Sequence, residues 1–214
     1  MGDDFAMDTT VWLAYLVTTI VLSVTPGPGV FSSVSSGINY GFRRGVWNGA
    51  GMQAANLVLA VVVSIGLGAL LLASEAAFAA VKWVGVAYLI YLGVATWRSA
   101  PQRLEASGAA ARTPREIFVR GFLVNLTNPK GIIFFAAVLP QFIDVARPQL
   151  PQYAILTATT FAVDVVVMAA YTAAAARVVS VMRDAAKLRW VNRGLGSAFV
   201  AAGVALTFLN RRPA

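Results

Sequence analysis

Residues 10–36 read TVWLAYLVTTIVLSVTPGPGVFSSVSS, and this stretch decides the fold class. Its 27 residues carry no charge, and a helix of that length would cover about 40 Å, more than the roughly 30 Å of a bilayer's hydrocarbon core. Lipid offers the backbone no hydrogen-bond partners, so such a segment must be helical. The sequence therefore predicts a membrane-spanning helix, interrupted where Thr25-Pro26-Gly27-Pro28 stands.

Five further stretches have the same character. The six predicted spans are 10–36, 46–72, 76–97, 117–139, 152–177 and 191–209. The composition agrees, with 58% hydrophobic and 12% charged residues and a mean hydropathy of +0.72. The N-terminus holds Asp3, Asp4 and Asp8 but no basic residue, so we expect no cleaved signal peptide. The predicted fold is an all-α membrane protein with six transmembrane helices.

The chain has no cysteine and no histidine. This excludes disulfides, a thiolate nucleophile, an imidazole base and the usual zinc, copper and haem ligand sets. We therefore predict no metal, no cofactor and no catalytic residue of the serine hydrolase kind.

The basic residues indicate the orientation in the membrane. The loops after the first, third and fifth spans hold 12 Lys and Arg, whereas the opposite side holds 4. The positive-inside rule then places the N-terminus, and with six spans also the C-terminus, outside. The net charge of +8 is thus an orientation signal and does not indicate nucleic acid as a partner.

A polar linker divides the chain into two halves. Residues 1–98 form a predicted first three-helix repeat, 99–116 a cytoplasmic linker, and 117–214 a second three-helix repeat. Two like halves with an odd number of crossings must lie in opposite orientations, which is the inverted-repeat plan of many secondary transporters. Six unrelated helices are the alternative.

Each half contains one broken helix, the first and the fourth. Proline stops a helix, and Thr25 or Asn128 followed by proline is a good start for the next one. Each restart leaves free N–H groups and a partial positive charge near mid-membrane, which suits an anion such as a carboxylate. Proline kinks that serve packing alone are the alternative. The candidate substrate-binding residues at the breaks are Thr25, Pro26, Gly27, Pro28, Asn128 and Pro129.

Two opposite charges lie deep within apolar runs. Lys130 follows the second break, and Asp164 stands in the middle of FAVDVVVMAAY. A charge there costs about 2.5–3.5 kcal/mol on insertion scales, so both are functional candidates, paired with each other or each holding part of a substrate. A snorkelling lysine or a structural ion pair is the alternative for Lys130. Four amides are candidates either for cavity lining or for hydrogen bonding between helices: Asn48, Gln53, Asn56 and Asn125.

The motifs resemble those of the LysE/RhtB family of amino-acid exporters. They are Ser23-Val24-Thr25-Pro26-Gly27-Pro28, the Gly41 to Gly51 stretch, and Gly121 to Lys130 (GFLVNLTNPK) followed by Leu139-Pro140-Gln141-Phe142. The resemblance covers nearly the whole chain and implies a bacterial inner-membrane protein that exports amino acids or close derivatives, driven by the proton gradient. Gly29 departs from the family, which often has Asn at that position.

The residues and the resemblance lead to one expected mechanism. The helix starts and Lys130 would bind the substrate carboxylate, Asp164 would bind its ammonium group, and Asp164 with Lys130 would carry proton coupling while the two repeats rock around the site. The partners are then an amino acid, protons and the lipid bilayer, and a homodimer is left open. The alternatives are an exporter of another small solute or cation and an intramembrane lipid-modifying enzyme, for which no nucleophile–base pair is visible.

Overall fold

The computed structural model describes residues 7–73, 75–98, 113–175, 177 and 184–207. Over these ranges the chain is helical and has no strand. Its α-helices are α1 (Thr9–Val24), α2 (Pro28–Ala73), α3 (Glu75–Arg98), α4 (Pro114–Leu126), α5 (Pro129–Ile133), α6 (Gln149–Ala173) and α7 (Ala185–Thr207). A π-helical turn, Phe134–Val138, and a 3-10 turn, Leu139–Phe142, continue α5. The predicted all-helical class is thereby confirmed.

Helix α2 folds back on itself at Gly41. Gly41 has φ +68° and ψ 174°, a backbone conformation that side chains with a Cβ rarely adopt. Residues on its two sides meet in antiparallel order, because Ser32 bonds to Asn48 and Gly45 lies against the backbone of Ser36. We call this element the α2 hairpin, with arms 28–40 and 42–73. It accounts for the end of the first predicted span and the start of the second.

The first helix break differs in detail from the prediction. Thr25 does not start a new helix: it ends α1, and its hydroxyl donates to Val21 O at 2.6 Å. The next helix begins at Pro28, with Gly27 O accepting from Phe31 N at 2.9 Å. The physical reason is that Pro28 also fits a first helical position, while the side chain of Thr25 is already bonded to the preceding turn.

The second break follows the prediction. Asn128 caps α5, its side chain accepting from Lys130 N at 3.1 Å, and Pro129 occupies the first turn. Helix α4 starts at a capping box of Thr113 and Glu116 and ends at Thr127. The segments before and after the break are bent by 56°.

Two of the described helices are long and apolar enough to cross a membrane, Pro28–Ile65 and Gln149–Ala173, and the bent pair Pro114–Leu126 with Pro129–Phe142 gives a third. Since the first of these is a hairpin, its 38 residues do not form one straight rod. The third and sixth predicted spans fall on α3 and α7. Of the predicted linker 99–116, residues 99–112 lie outside the described residues, as do 1–6 and 208–214 at the termini.

Glycines allow the helices to cross at very short distance. A Cβ on Gly51 would overlap Phe118 O, and one on Gly121 would overlap Asn48 O, so the second arm of the α2 hairpin and α4 touch backbone to backbone. Gly93 and Gly196 bring α3 and α7 together in the same way. Small residues at such crossings are how membrane helices associate in the absence of a hydrophobic driving force.

We expect Gly121→Ala to destabilise the folded protein by about 1–3 kcal/mol, because the added methyl group must push α2 away from α4. The matched control is Gly194→Ala on α7, where a Cβ meets nothing within 4 Å, and where alanine should be neutral or stabilising. The midpoint of thermal unfolding in detergent is the measurement. Equal midpoints for the two variants would contradict the close crossing.

Candidate functional site

Lys130 connects the two helix breaks. It stands on the first turn of α5, and its ammonium group reaches across to the end of α1, donating to Leu22 O at 2.8 Å and to Thr25 O at 2.9 Å. The last carbonyls of a helix have no partners within the helix and carry its partial negative charge. The ammonium group of Lys130 is therefore held in place by the C-terminal end of α1.

Tyr171 completes this cap. Its hydroxyl, on α6, donates to Val24 O at 2.6 Å. Three carbonyls at the end of α1 are thus bonded by side chains from α5 and α6. The sequence analysis assigned a role only to the helix starts at the breaks and did not predict a role for the C-terminal end of α1. That end could have been predicted, because a helix that stops at Thr25 leaves its last carbonyls unpaired, just as the next helix leaves its first N–H groups unpaired.

Asp164 lies on α6 and faces the same region. One carboxylate oxygen accepts from Ser23 Oγ, and the other accepts from Asn56 Nδ2 at 2.7 Å. Ser23, on the last turn of α1, was not among the predicted site residues. The carboxylate is therefore bonded to neutral donors from α1 and from the α2 hairpin.

Asn56 is the centre of an amide network. Its Oδ1 accepts from Asn125 at 2.7 Å, while its Nδ2 also donates to Gln53 Oε1 at 3.2 Å. Asn125 donates in addition to Met52 O at 3.0 Å. These side chains are buried, and they join α2, α4 and α6 around Asp164. Buried polar groups bonded to this degree hold one another in place.

Lys130 and Asp164 line one small cavity of about 40 Å³. Other members of its lining are Ser23, Asn56, Asn125 and Asn128, together with Gly29, Met52, Phe134, Phe135 and Met168. Arg147–Asp144 and Lys187–Asp184 form ion pairs, whereas Lys130 and Asp164 do not pair with each other. The two charges therefore share a cavity and are bonded to separate neutral partners. A volume of 40 Å³ suits about one water molecule.

The other predicted residues lie around this cavity in different roles. Gly27 faces the lysine, since a Cβ there would be 3.5 Å from Lys130 Nζ, and Thr25 contributes its carbonyl. Pro26, Pro28 and Pro129 shape the breaks and are not part of the cavity lining. Asn48 is not part of it either, because its amide bonds to Ser32, Ser33 and Met52 within the α2 hairpin.

A larger groove runs beside the cavity, between the second arm of the α2 hairpin and α6. Its volume is about 460 Å³. The lining is almost wholly apolar, with Gln53 and Thr172 as the polar members, and its other residues are Val46, Gly49, Ala50, Ala54, Leu57, Phe161, Val165, Met168 and Ala169. Met168 belongs to the lining of both the groove and the cavity.

Within the described part of the chain, no group of three or more His, Cys, Asp or Glu side chains could hold a metal ion. Asp164 is accompanied by amides and a hydroxyl, which can position a charged organic group but supply no further anionic ligand. The cavity is therefore lined by one cationic group, Lys130, and one anionic group, Asp164.

Comparison with known proteins identifies relatives. The LysE type translocator family matches residues 20–210. A "Homoserine/homoserine lactone efflux protein" of Salmonella typhimurium is 41% identical over 195 residues, covering 91% of this chain and 95% of the relative. An "Uncharacterized membrane protein" of Vibrio cholerae is 39% identical over 94% of this chain and 98% of its own. A "Leucine efflux protein" of Klebsiella pneumoniae is 33% identical over 63% of this chain and 64% of its own. No solved structure gives a significant match.

Proposed function

The chain belongs to the LysE type translocator family, and from this premise we propose that it exports an amino acid of the homoserine type across the bacterial inner membrane. The relative named for homoserine and its lactone aligns over nearly the whole chain, whereas the leucine efflux relative aligns over 63% of it. The function is that of a transporter and not of an enzyme.

The observation that carries this proposal is the separation of two opposite charges around one cavity. Lys130 uses two of its three ammonium N–H groups on the carbonyls of α1, which leaves one for a substrate carboxylate. Asp164 is bonded to Ser23 and Asn56, and its anionic charge would attract a substrate ammonium group. An amino-acid zwitterion carries the two complementary charges. This arrangement supports amino acids over purely cationic substrates.

Proton coupling follows from competition at Asp164. A carboxylate that accepts a proton loses its attraction for the substrate ammonium group, so a proton arriving from outside would release the substrate there. Loss of that proton to the inside would restore the binding site. One proton would enter for each amino acid that leaves.

Alternating access would arise from motion between the two halves of the chain, residues 1–98 and 117–214. The site is built across them, because Lys130, Asp164 and Asn125 come from the second half and bond to Leu22, Ser23 and Asn56 of the first. A cavity of 40 Å³ is too small for an amino acid, so the site would have to widen before a substrate binds. Rocking of two inverted three-helix repeats, with both termini outside, would open it to one face at a time.

The test is efflux from vesicles that contain the purified protein and radiolabelled homoserine. We expect an acidic external buffer to accelerate efflux several-fold over protein-free vesicles, and a protonophore to remove the acceleration. Homoserine lactone and leucine, loaded in parallel, define the substrate range. If none of the three leaves faster than from protein-free vesicles, the proposal is wrong.

A further inference from the structure

Gln53 has an unpartnered hydrogen-bond donor beside the site. The side chain is 4% exposed and lies on the second arm of the α2 hairpin. Its Oε1 accepts from Asn56, and its Nε2 faces the Asp164 carboxylate without a hydrogen bond of ordinary length to any described residue. A buried donor without a partner costs about 1–3 kcal/mol, and a ligand that supplies an acceptor recovers that free energy.

The location of Gln53 connects the charged cavity with the apolar groove. Asn56 bonds both to Gln53 and to Asp164, and the Gln53 amide also faces Asp164 directly, so it borders the predicted ammonium site. Gln53 itself belongs to the lining of the groove between α2 and α6, where small residues such as Ala50, Ala54 and Ala169 leave about 460 Å³. Thr172, the other polar member of that lining, already donates to Met168 O at 2.8 Å.

Met168 forms the partition between the two spaces, because it lines both. Its unbranched side chain has several rotatable bonds and can move aside at low cost. A substrate held by its charges in the cavity would then extend its side chain past Met168 into the groove. The first polar group that such a side chain meets is the Gln53 amide.

We infer that the groove is the side-chain subsite and that Gln53 is its specificity-determining residue, donating from Nε2 to an oxygen at the end of the substrate side chain. This inference rests on the proposed function and narrows its substrate class to amino acids with an acceptor oxygen on the side chain. A site with a buried donor discriminates against an analogue that lacks the acceptor, because the donor would stay unpaired.

The experiment compares homoserine with norvaline, in which a methyl group replaces the hydroxyl, in the vesicle assay. We expect the wild-type protein to export homoserine about 10–100-fold faster than norvaline, and Gln53→Met to bring the ratio of the two rates close to one. The matched control is Gln141→Met, since Gln141 is also buried but donates to Ala137 O away from the groove. A loss of structure would lower both rates together and leave their ratio unchanged.

A second variant keeps the inference testable if Gln53→Met does not fold. Ala169→Leu fills the groove without touching the charged residues, and we expect it to slow export of homoserine more than export of alanine, whose side chain is too short to enter. An unchanged homoserine-to-norvaline ratio in a functional Gln53→Met protein would overturn the inference, as would equal slowing of homoserine and alanine by Ala169→Leu. If the wild-type protein exports neither homoserine nor any other amino acid, the proposed function itself is wrong.

Discussion

Exchange of Lys130 for methionine is expected to lower homoserine export roughly a hundredfold or more. Methionine matches the length of the side chain but removes the ammonium group that bonds Leu22 O and Thr25 O and would bind the substrate carboxylate. Hydrogen bonds to a charged group are worth about 1.5–3 kcal/mol each, and every 1.4 kcal/mol is a factor of ten. The measurement is initial efflux from loaded vesicles, normalised to the amount of folded protein.

The chain offers a matched control for this lysine. Lys82 on α3 is also buried and donates to a carbonyl at the end of a helix, Thr207 O at 3.0 Å, but it lies outside the cavity lining. Lys82→Met should therefore reduce the thermal stability of the protein while its export per folded molecule stays near the wild-type rate. Equal export by the two methionine variants would show that Lys130 is only a structural cap.

Exchange of Asp164 for asparagine is expected to abolish both substrate binding and proton coupling. The amide keeps the size of the carboxylate, and its single oxygen can accept from Asn56 while its NH₂ group donates to Ser23 Oγ, but it has no negative charge for the ammonium group and no site for the proton. We expect efflux under an acidic external buffer to fall to the level of protein-free vesicles. Asp164→Glu, which keeps the charge one methylene further out, should retain part of the activity.

Exchange assays distinguish binding from coupling for Asp164. Exchange of internal for external homoserine needs no net proton movement, so it reports substrate binding without proton coupling. This exchange should also be lost in Asp164→Asn if the carboxylate binds the ammonium group of the substrate. Asp144→Asn is the control, because Asp144 bonds Arg147 and Ala146 in the turn before α6 and is not part of the cavity lining. Proton-driven export at the wild-type rate by Asp164→Asn would contradict the assignment.

Local rules predicted much of the architecture around the site. Asn128 followed by Pro129 specifies a helix start whatever surrounds it, and that start was confirmed. The same rule failed at Thr25, because two prolines compete for the first position of the next helix and the choice depends on the bond from Thr25 to Val21. Lys130 and Asp164 line one cavity, since a membrane leaves two buried charges few other environments, and their role in substrate binding stays a prediction.

Other features depend on packing and could not be predicted in this way. Nothing local distinguishes Asn48, which bonds within the α2 hairpin, from Asn56, which reaches Asp164. The role of Ser23 depends on the rotation of α1 against α6, and the groove beside Gln53 exists only because small residues face each other there. The inverted orientation of the two repeats remains a prediction from the sequence.

The α2 hairpin also sets the depth of the cavity. Gly29 lines the cavity and Gly41 forms the tip, so 12 residues of helix separate them, a distance of about 18 Å. Arg43 and Arg44 are exposed beside the tip, where their guanidinium groups would lie at the lipid headgroups. In a hydrocarbon core of about 30 Å, a proton from the opposite face would cross the remaining ~12 Å to reach Asp164 and the other ~18 Å on leaving it, and so in total the whole electric field of the membrane. Exchange of one neutral zwitterion for one proton moves net charge, so membrane voltage, worth about 2.3 kcal/mol per charge per 100 mV, would drive export together with the pH gradient.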